Sequence, residues 1–208
     1  GAVLIVVALP AAWYFFPRKP YDVGVQLARS GKRVEALAVW EKACDGGDVD
    51  SCARAAILRV SHGEVDAGRA LLQKAKATNP KHVWVLLLEG SFLELDGKPA
   101  DAKVLYEEAE RLHPTSGLPA TSLAKLALAA NDLPEAERCA ERALAAEPSL
   151  GSAHAMRGRV LVATSSLDEA VSSYLEAVEL DGMGAVDWVL LADVMEKFDA
   201  KKIDILVC

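Results

Sequence analysis

Apolar and small residues recur along most of the chain at spacings of three and four, which is the pattern of an amphipathic α-helix. Five segments align without gaps in this pattern: GKRVEALAVWEKAC, GEVDAGRALLQKAK, GKPADAKVLYEEAE, NDLPEAERCAERAL and SSLDEAVSSYLEAV. Each begins with a turn residue or a short polar stretch, and each carries alanine at the same late position. These alanines are Ala43, Ala75, Ala109, Ala143 and Ala177, spaced 32, 34, 34 and 34 residues apart. A fixed period of this length predicts a repeat architecture.

Another amphipathic helix precedes each of these segments and carries a small residue near its middle. The small residues are Gly24, Ala56, Gly90, Ala124, Gly158 and Ala192. Glycine and alanine there let a neighbouring helix approach closely, and the large residues Trp40, Leu72, Tyr106 and Tyr174 fill the remaining gap. Each helix is only about three turns long and would be marginal alone in water. The pattern therefore predicts helical hairpins that stack to bury a continuous core.

This register resembles the tetratricopeptide repeat family. The resemblance covers roughly residues 17–197, which include five full repeats and the first helix of a sixth. It implies an all-α fold, a right-handed α-solenoid of helix hairpins, with the array at residues 21–197. The fourth repeat departs from the family pattern, since it has Ala127 and Ala140 at bulky positions and Asn131 in place of the turn glycine. The ending KKIDILVC does not fit a second helix, so residues 198–208 are expected to form a tail.

The resemblance also implies a partner-binding groove on the first helices of the repeats. The family's carboxylate clamp for acidic chaperone tails is not expected, because its slots hold other residues: Tyr21, Val25, Ala53, Ile57, Leu87 and Ser91. The groove is expected to be apolar, with Lys125 and Arg159 as isolated basic points, and to hold an amphipathic helix or an extended segment. Its predicted residues are Ile57, Trp84, Leu87, Ser91, Lys125, Leu128 and Arg159. Trp84 has an alternative interpretation, as a core residue packed between hairpins.

The N-terminal segment from Ala2 to Phe16 is uncharged and almost entirely apolar. A helix of this length would reach roughly 22 Å, somewhat short of the roughly 30 Å core of a bilayer. Four consecutive aromatic residues end the segment, and Arg18 and Lys19 follow, as in an interfacial belt with cationic anchors. The pattern predicts a single transmembrane anchor at residues 1–16 and a proline neck at residues 17–20. A core helix and a signal sequence are the alternatives.

Cys44 and Cys52 lie at the end of one predicted helix and the start of the next, with two glycines between them. Such a turn can bring the two side chains within disulfide distance, although two buried thiols fit the sequence as well. The stretch is similar to the cysteine-rich subgroup of SEL-like repeats, which implies a Cys44–Cys52 disulfide. A disulfide would favour a periplasmic array. Arg18 and Lys19 instead favour the alternative, a cytoplasmic array, under the positive-inside rule.

The charge and the absence of catalytic motifs disfavour nucleic-acid binding and catalysis, so we expect a function in protein interaction. The net charge of −7 disfavours nucleic-acid binding, which requires a basic face. None of the four histidines has zinc-ligand spacing, and the sequence contains no phosphate loop or hydrolase motif, so we expect neither an enzyme nor a cofactor. The sequence favours a membrane-anchored adaptor or scaffold. The alternatives are an accessory structural subunit of a membrane complex and a periplasmic chaperone-like assembly factor.

Overall fold

The computed structural model describes residues 19–180, 182 and 185–207, and within them the chain forms eleven α-helices. The described residues divide into two compact units, one of residues 19–78 and one of the described residues from 79 onwards. The helices are α1 (Pro20–Arg29), α2 (Arg33–Asp45), α3 (Val49–Ser61), α4 (Val65–Thr78), α5 (Val83–Leu95), α6 (Pro99–Leu112), α7 (Leu118–Ala129), α8 (Leu133–Ala146), α9 (Gly151–Ala163), α10 (Leu167–Glu179) and α11 (Ala185–Val207). The described residues contain no strand.

The first unit consists of two helical hairpins, α1 with α2 and α3 with α4. The indole of Trp40 on α2 packs directly over Gly24 on α1, where a Cβ atom would lie 2.6 Å from Cδ1 of the ring. Trp40 also donates a hydrogen bond from Nε1 to the carbonyl oxygen of Tyr21. The α1–α2 hairpin is therefore joined by an aromatic ring that fits only against glycine.

The second unit contains three hairpins, α5 with α6, α7 with α8 and α9 with α10, followed by α11. Tyr106 packs on Gly90 in the first of these hairpins, and Tyr174 packs on Gly158 in the third. Both tyrosines are fully buried. The main core cluster joins residues of α5 to α9: Leu87, Ala102, Tyr106, Leu123, Ala124, Ala127, Ala136, Cys139, Ala140, Met156 and Val160.

Each hairpin turns through one residue with a left-handed backbone. These residues are Gly31, Gly63, Gly97, Asn131 and Ser165, with φ angles of 79°, 81°, 71°, 58° and 63°. Asparagine tolerates this conformation better than most residues, which explains how Asn131 replaces the glycine of the fourth repeat. Serine lacks that tolerance, so the fifth turn is the strained one.

The all-helical architecture is confirmed over the described residues, which form five hairpins and a further helix, but the C-terminal end differs from the prediction. Residues 198–207 continue α11 as one helix instead of forming a tail. This stretch contains neither glycine nor proline, so no residue interrupts the helix. The predicted anchor at residues 1–16 lies outside the described residues. Among the residues that are described, no helix combines the length and the apolar character that crossing a membrane requires.

Candidate partner-binding surface

The first helices of the second unit form a continuous series, because α7 packs against both α5 and α9, and α9 packs against α11. Three of the predicted groove residues, Ser91, Lys125 and Arg159, are spaced by 34 and occupy the same register position on α5, α7 and α9. Ile57 occupies that position on α3 of the first unit, where its side chain is 42% exposed. The 34-residue register thus assigns these four residues to equivalent positions of the first helices α3, α5, α7 and α9.

A polar cluster formed by Ser91, Glu94, Tyr106 and Lys125 lies in the third and fourth repeats. The Tyr106 hydroxyl donates a hydrogen bond to Oε1 of Glu94, and Lys125 Nζ lies 2.9 Å from the same oxygen. Ser91 Oγ donates to the carbonyl oxygen of Leu87 and lies 3.3 Å from the Tyr106 hydroxyl. Burial of Tyr106, together with its hydrogen bond to Glu94, raises the pKa of its hydroxyl well above the usual range. Tyr106 therefore stays a neutral donor at physiological pH.

Arg159 is held by a carboxylate of the next first helix. Its Nε donates a hydrogen bond to Oδ1 of Asp187 on α11, and the Asp187 side chain is almost completely buried. Lys125 is likewise paired, with Glu94 on the preceding first helix. The prediction that Lys125 and Arg159 are isolated basic points is therefore wrong. The sequence contains both carboxylates, but their pairing depends on how successive hairpins stack, which the residue spacing does not specify.

The apolar groove residues of the second unit divide into buried and accessible ones. Leu87 is only 6% exposed and belongs to the core cluster, because α5 packs against both α6 and α7. It is therefore not an accessible groove residue. Trp84 and Leu128 also pack against this cluster but keep part of their surface open. The accessible surface in this region thus includes Trp84, Leu128 and the solvent-exposed part of the polar cluster, which Glu94 and Lys125 provide.

Cys44 and Cys52 are joined as a disulfide in the structure, with Cα atoms 4.6 Å apart. Cys139 on α8 is buried with a free thiol, which donates a hydrogen bond to Oε1 of Glu135. Burial, followed by this hydrogen bond, raises the pKa of Cys139 to about 12. The thiol is therefore unreactive at neutral pH, since the thiolate is the nucleophilic form.

A pocket of about 220 Å³ opens beside Cys139 in the fourth repeat, and Leu123, Ala127 and Asp132 contribute to its lining. Ala127 is one of the small residues that replace bulky ones in this repeat, so the sequence contained a signal for this space. No cluster of His, Cys, Asp and Glu side chains among the described residues could hold a metal ion.

The model of the tetratricopeptide repeat family matches residues 121–183. Solved structures with the same architecture cover most of the chain. A tetratricopeptide repeat protein of Thermus thermophilus, TTC0263, is 20% identical with a TM-score of 0.68, and the match covers 85% of this chain and 97% of that one. The chain has the tetratricopeptide repeat (TPR) fold.

Two further solved structures are similar to the chain. PilW, a type IV pilus biogenesis factor, is 18% identical with a TM-score of 0.61, over 88% of this chain and 90% of that one. The first TPR domain of Spaghetti (RPAP3), bound to the HSP90 peptide SRMEEVD, is 22% identical with a TM-score of 0.52, over 56% and 95%. Comparison with curated protein sequences gives no match.

Proposed function

We propose that this TPR chain is a membrane-anchored scaffold that binds a protein partner on the first helices of its second unit. The observation that supports the proposal best is the combination of Trp84 and Leu128 with the polar cluster. Partly exposed apolar side chains beside polar groups are typical of binding surfaces. A large aromatic residue at such a position is the kind of anchor that dominates binding energy.

The composition of this surface indicates which partner it fits. Trp84 and Leu128 would contact apolar residues of an amphipathic helix or an extended segment. Glu94, which keeps part of its side chain open to solvent, adds an accepting group. Because Lys125 and Arg159 are already paired with carboxylates, a strongly acidic partner gains little from them. A partner segment that is apolar and close to neutral therefore fits better than an acidic tail.

Co-purification from the native cells, measured by quantitative mass spectrometry, tests the proposed surface. Trp84→Ala should weaken binding of the partner by roughly 1–3 kcal/mol, the range expected for a central anchor. Val104→Ala is the matched control, because Val104 is an apolar residue that is 62% exposed on the second helix α6. Thermal melts of both variants must accompany the experiment. Equal retention of every co-purifying protein by Trp84→Ala and by wild type would contradict the proposal.

The membrane anchor in this proposal rests on the apolar sequence of residues 2–16 and the aromatic and cationic residues that follow. Deletion of residues 1–18 should move the repeats from the membrane fraction to the soluble fraction after cell lysis. The matched control replaces residues 2–16 with an unrelated apolar helix of about 20 residues, the length that spans a bilayer, which should restore fractionation with the membrane. Persistent membrane association after the deletion would show that another part of the chain provides the attachment.

We also propose that the repeats lie outside the cytoplasm, as in the periplasm. The Cys44–Cys52 disulfide supports this location, since such bonds persist in oxidising compartments. Protein alkylated under denaturing, non-reducing conditions should show two free thiols, at Cys139 and Cys208. A count of four would remove the support that the cysteines give to a periplasmic location.

A further inference from the structure

The turn between α1 and α2 carries an excess of positive charge. Residues 29–35 contain Arg29, Lys32 and Arg33 and a single carboxylate, Glu35, which gives this stretch a net charge of +2. All seven residues are exposed. The equivalent stretches of the other four hairpins have net charges of −2, −1, −2 and −2; they are residues 61–67, 95–101, 129–135 and 163–169. We call residues 29–35 the basic tip.

Two of the three cations occupy positions that are uncharged in the other four hairpins. The equivalents of Arg29 are Ser61, Leu95, Ala129 and Ala163, and those of Arg33 are Val65, Pro99, Leu133 and Leu167. Val34 follows Arg33, and its side chain is 78% exposed. The tip therefore combines cations with an apolar side chain, and the repeat pattern does not require this combination.

The fold does not explain the cations at the start of α2 either. Lys32 is the N-cap residue of α2 and makes no capping hydrogen bond with its side chain, and Arg33 is the first residue of the helix. The N-terminus of a helix carries a partial positive charge, which disfavours cations, and its cap favours residues such as aspartate. Neither cation pairs with a carboxylate among the described residues. Their position thus disfavours α2 and indicates a role outside the fold.

The basic tip lies close in the sequence to the apolar segment at residues 2–16. Residues 17–19 separate that segment from α1, which has ten residues and is therefore about 15 Å long. Lys19 precedes α1 and Arg29 ends it, so both ends of the helix are basic. If the apolar segment enters a membrane and α1 lies along its surface, the tip meets the same surface.

An anionic phospholipid surface fits the tip in charge and in shape. A Cβ atom at Gly31 would meet no other atom within 4 Å, so the centre of the tip projects into solvent and does not line a cleft. Headgroup phosphates attract cations without a cleft, because the attraction is electrostatic and extends over about 8–10 Å. An exposed valine among cations suits the boundary between headgroups and acyl chains. The acidic turns of the other four hairpins would be repelled by this surface.

We propose that the basic tip binds the headgroups of anionic phospholipids and holds α1 along the membrane surface. The inference rests on the proposed membrane anchor at residues 1–16, which supplies most of the attachment. A few cations bind such a surface weakly on their own, so the tip orients the first hairpin and does not replace the anchor. The contact should weaken at high salt, because salt screens the charges.

Fluorescence quenching in lipid nanodiscs tests the inference with the full chain. Ser30→Cys places a dye on the tip in a Cys208→Ser background, because the buried Cys139 thiol does not react at neutral pH. Thr164→Cys labels the equivalent residue of the fifth turn as the matched control. The discs contain a spin label on the headgroup and consist of phosphatidylcholine with or without phosphatidylglycerol. The dye at residue 30 should become at least about twofold dimmer on the anionic discs alone, and the dye at residue 164 should not respond to either.

Charge reversal at the start of α2 completes the test. The double variant Lys32→Glu with Arg33→Glu should abolish the quenching on anionic discs. Because carboxylates suit a helix N-terminus, this variant should melt at or above the wild-type temperature, which excludes unfolding as the cause. Lys98→Glu with Arg111→Glu makes the same change of net charge in the second unit and should retain the quenching. Equal quenching on both kinds of disc, or quenching that survives the reversal at the tip, would overturn the proposal.

Elution of the chain with the discs distinguishes this inference from the proposed anchor. A chain that elutes with both kinds of disc but shows no quenching at residue 30 has the anchor, and the inference alone is overturned. A chain that elutes apart from the discs contradicts the anchor; quenching by excess anionic discs would still support the tip, and its absence would overturn both.

An acidic protein is the other occupant that the charge of the tip would suit. A co-purifying protein that is lost only from the double variant Lys32→Glu with Arg33→Glu, together with no quenching on anionic discs, would assign the tip to that protein. This result would overturn the proposal of a lipid contact.

Discussion

The third and fifth repeats use the same tyrosine on the same glycine but surround it with different chemistry. Tyr106 packs on Gly90 and Tyr174 on Gly158, 68 residues later. The Tyr106 hydroxyl donates to Glu94, whereas the Tyr174 hydroxyl is buried and has no hydrogen-bond partner among the described residues. The position equivalent to Glu94 is Val162 in the fifth repeat, which removes the acceptor. The packing of the ring is thus independent of the hydrogen bond.

The two repeats also use their polar residues differently. In the fifth repeat, Arg159 is tied to the buried Asp187 and so fastens α11 to α9. In the third repeat, Glu94 pairs with the exposed Lys125 and stays in contact with solvent. Polar chemistry is therefore structural in the fifth repeat and accessible in the third. This difference is why we place the proposed partner-binding surface in the third and fourth repeats.

The largest effect on the free energy of unfolding should follow when the ion pair between Arg159 and the buried Asp187 is broken. Arg159→Leu leaves the buried Asp187 carboxylate without its guanidinium, and we expect a loss of roughly 3 kcal/mol in the free energy of unfolding. Urea denaturation measures this loss. The double variant Arg159→Leu with Asp187→Leu should recover much of it, since no buried charge then remains. If the single variant were as stable as wild type, Arg159 would not fasten α11.

The sequence predicted the hairpins and their order because one register of small and large residues repeats along the chain. The sequence also indicated the pocket beside Ala127, because Ala127 and Ala140 occupy positions that usually hold bulky residues. It did not predict that Leu87 is buried or that Lys125 and Arg159 are paired, because these depend on the stacking of successive hairpins. The extension of α11 was missed because KKIDILVC was compared with a second helix instead of a continuation of the first.

The second prediction concerns alkaline pH. Burial raises the pKa of Tyr174 to about 12, whereas an unfolded tyrosine titrates near pH 10. The unfolded state therefore releases this proton first, and the folded protein loses stability as the pH rises from about 10 to about 12. At pH 11 the expected loss from this one group is about 1.4 kcal/mol. Tyr174→Phe should lose that much less stability than wild type between pH 8 and pH 11, as measured by urea denaturation at each pH. The same pH dependence in both proteins would contradict the raised pKa.

The third prediction compares the two tyrosine hydroxyls directly at neutral pH. Tyr106→Phe removes a hydrogen bond to Glu94 and should cost about 1 kcal/mol. Tyr174→Phe removes a buried hydroxyl that has no partner among the described residues, so it should be neutral or slightly stabilising. Both variants keep the ring on its glycine, so their difference in unfolding free energy isolates the hydrogen bond. Equal destabilisation by the two variants would show that the hydroxyls contribute alike.

The smallest effect on the free energy of unfolding is expected at the exposed ion pair between Glu94 and Lys125. Lys125→Leu removes the partner of Glu94, but both side chains have access to water, and pairs of this kind contribute about 0.2–1 kcal/mol. Glu94 also keeps its hydrogen bond from Tyr106. We expect a loss of less than about 0.5 kcal/mol, which shrinks further at high salt because exposed charges are screened. Urea denaturation at low and high salt checks both points. A loss close to that of Arg159→Leu would mean that both cations serve the same structural role, and the contrast between the two repeats would no longer hold.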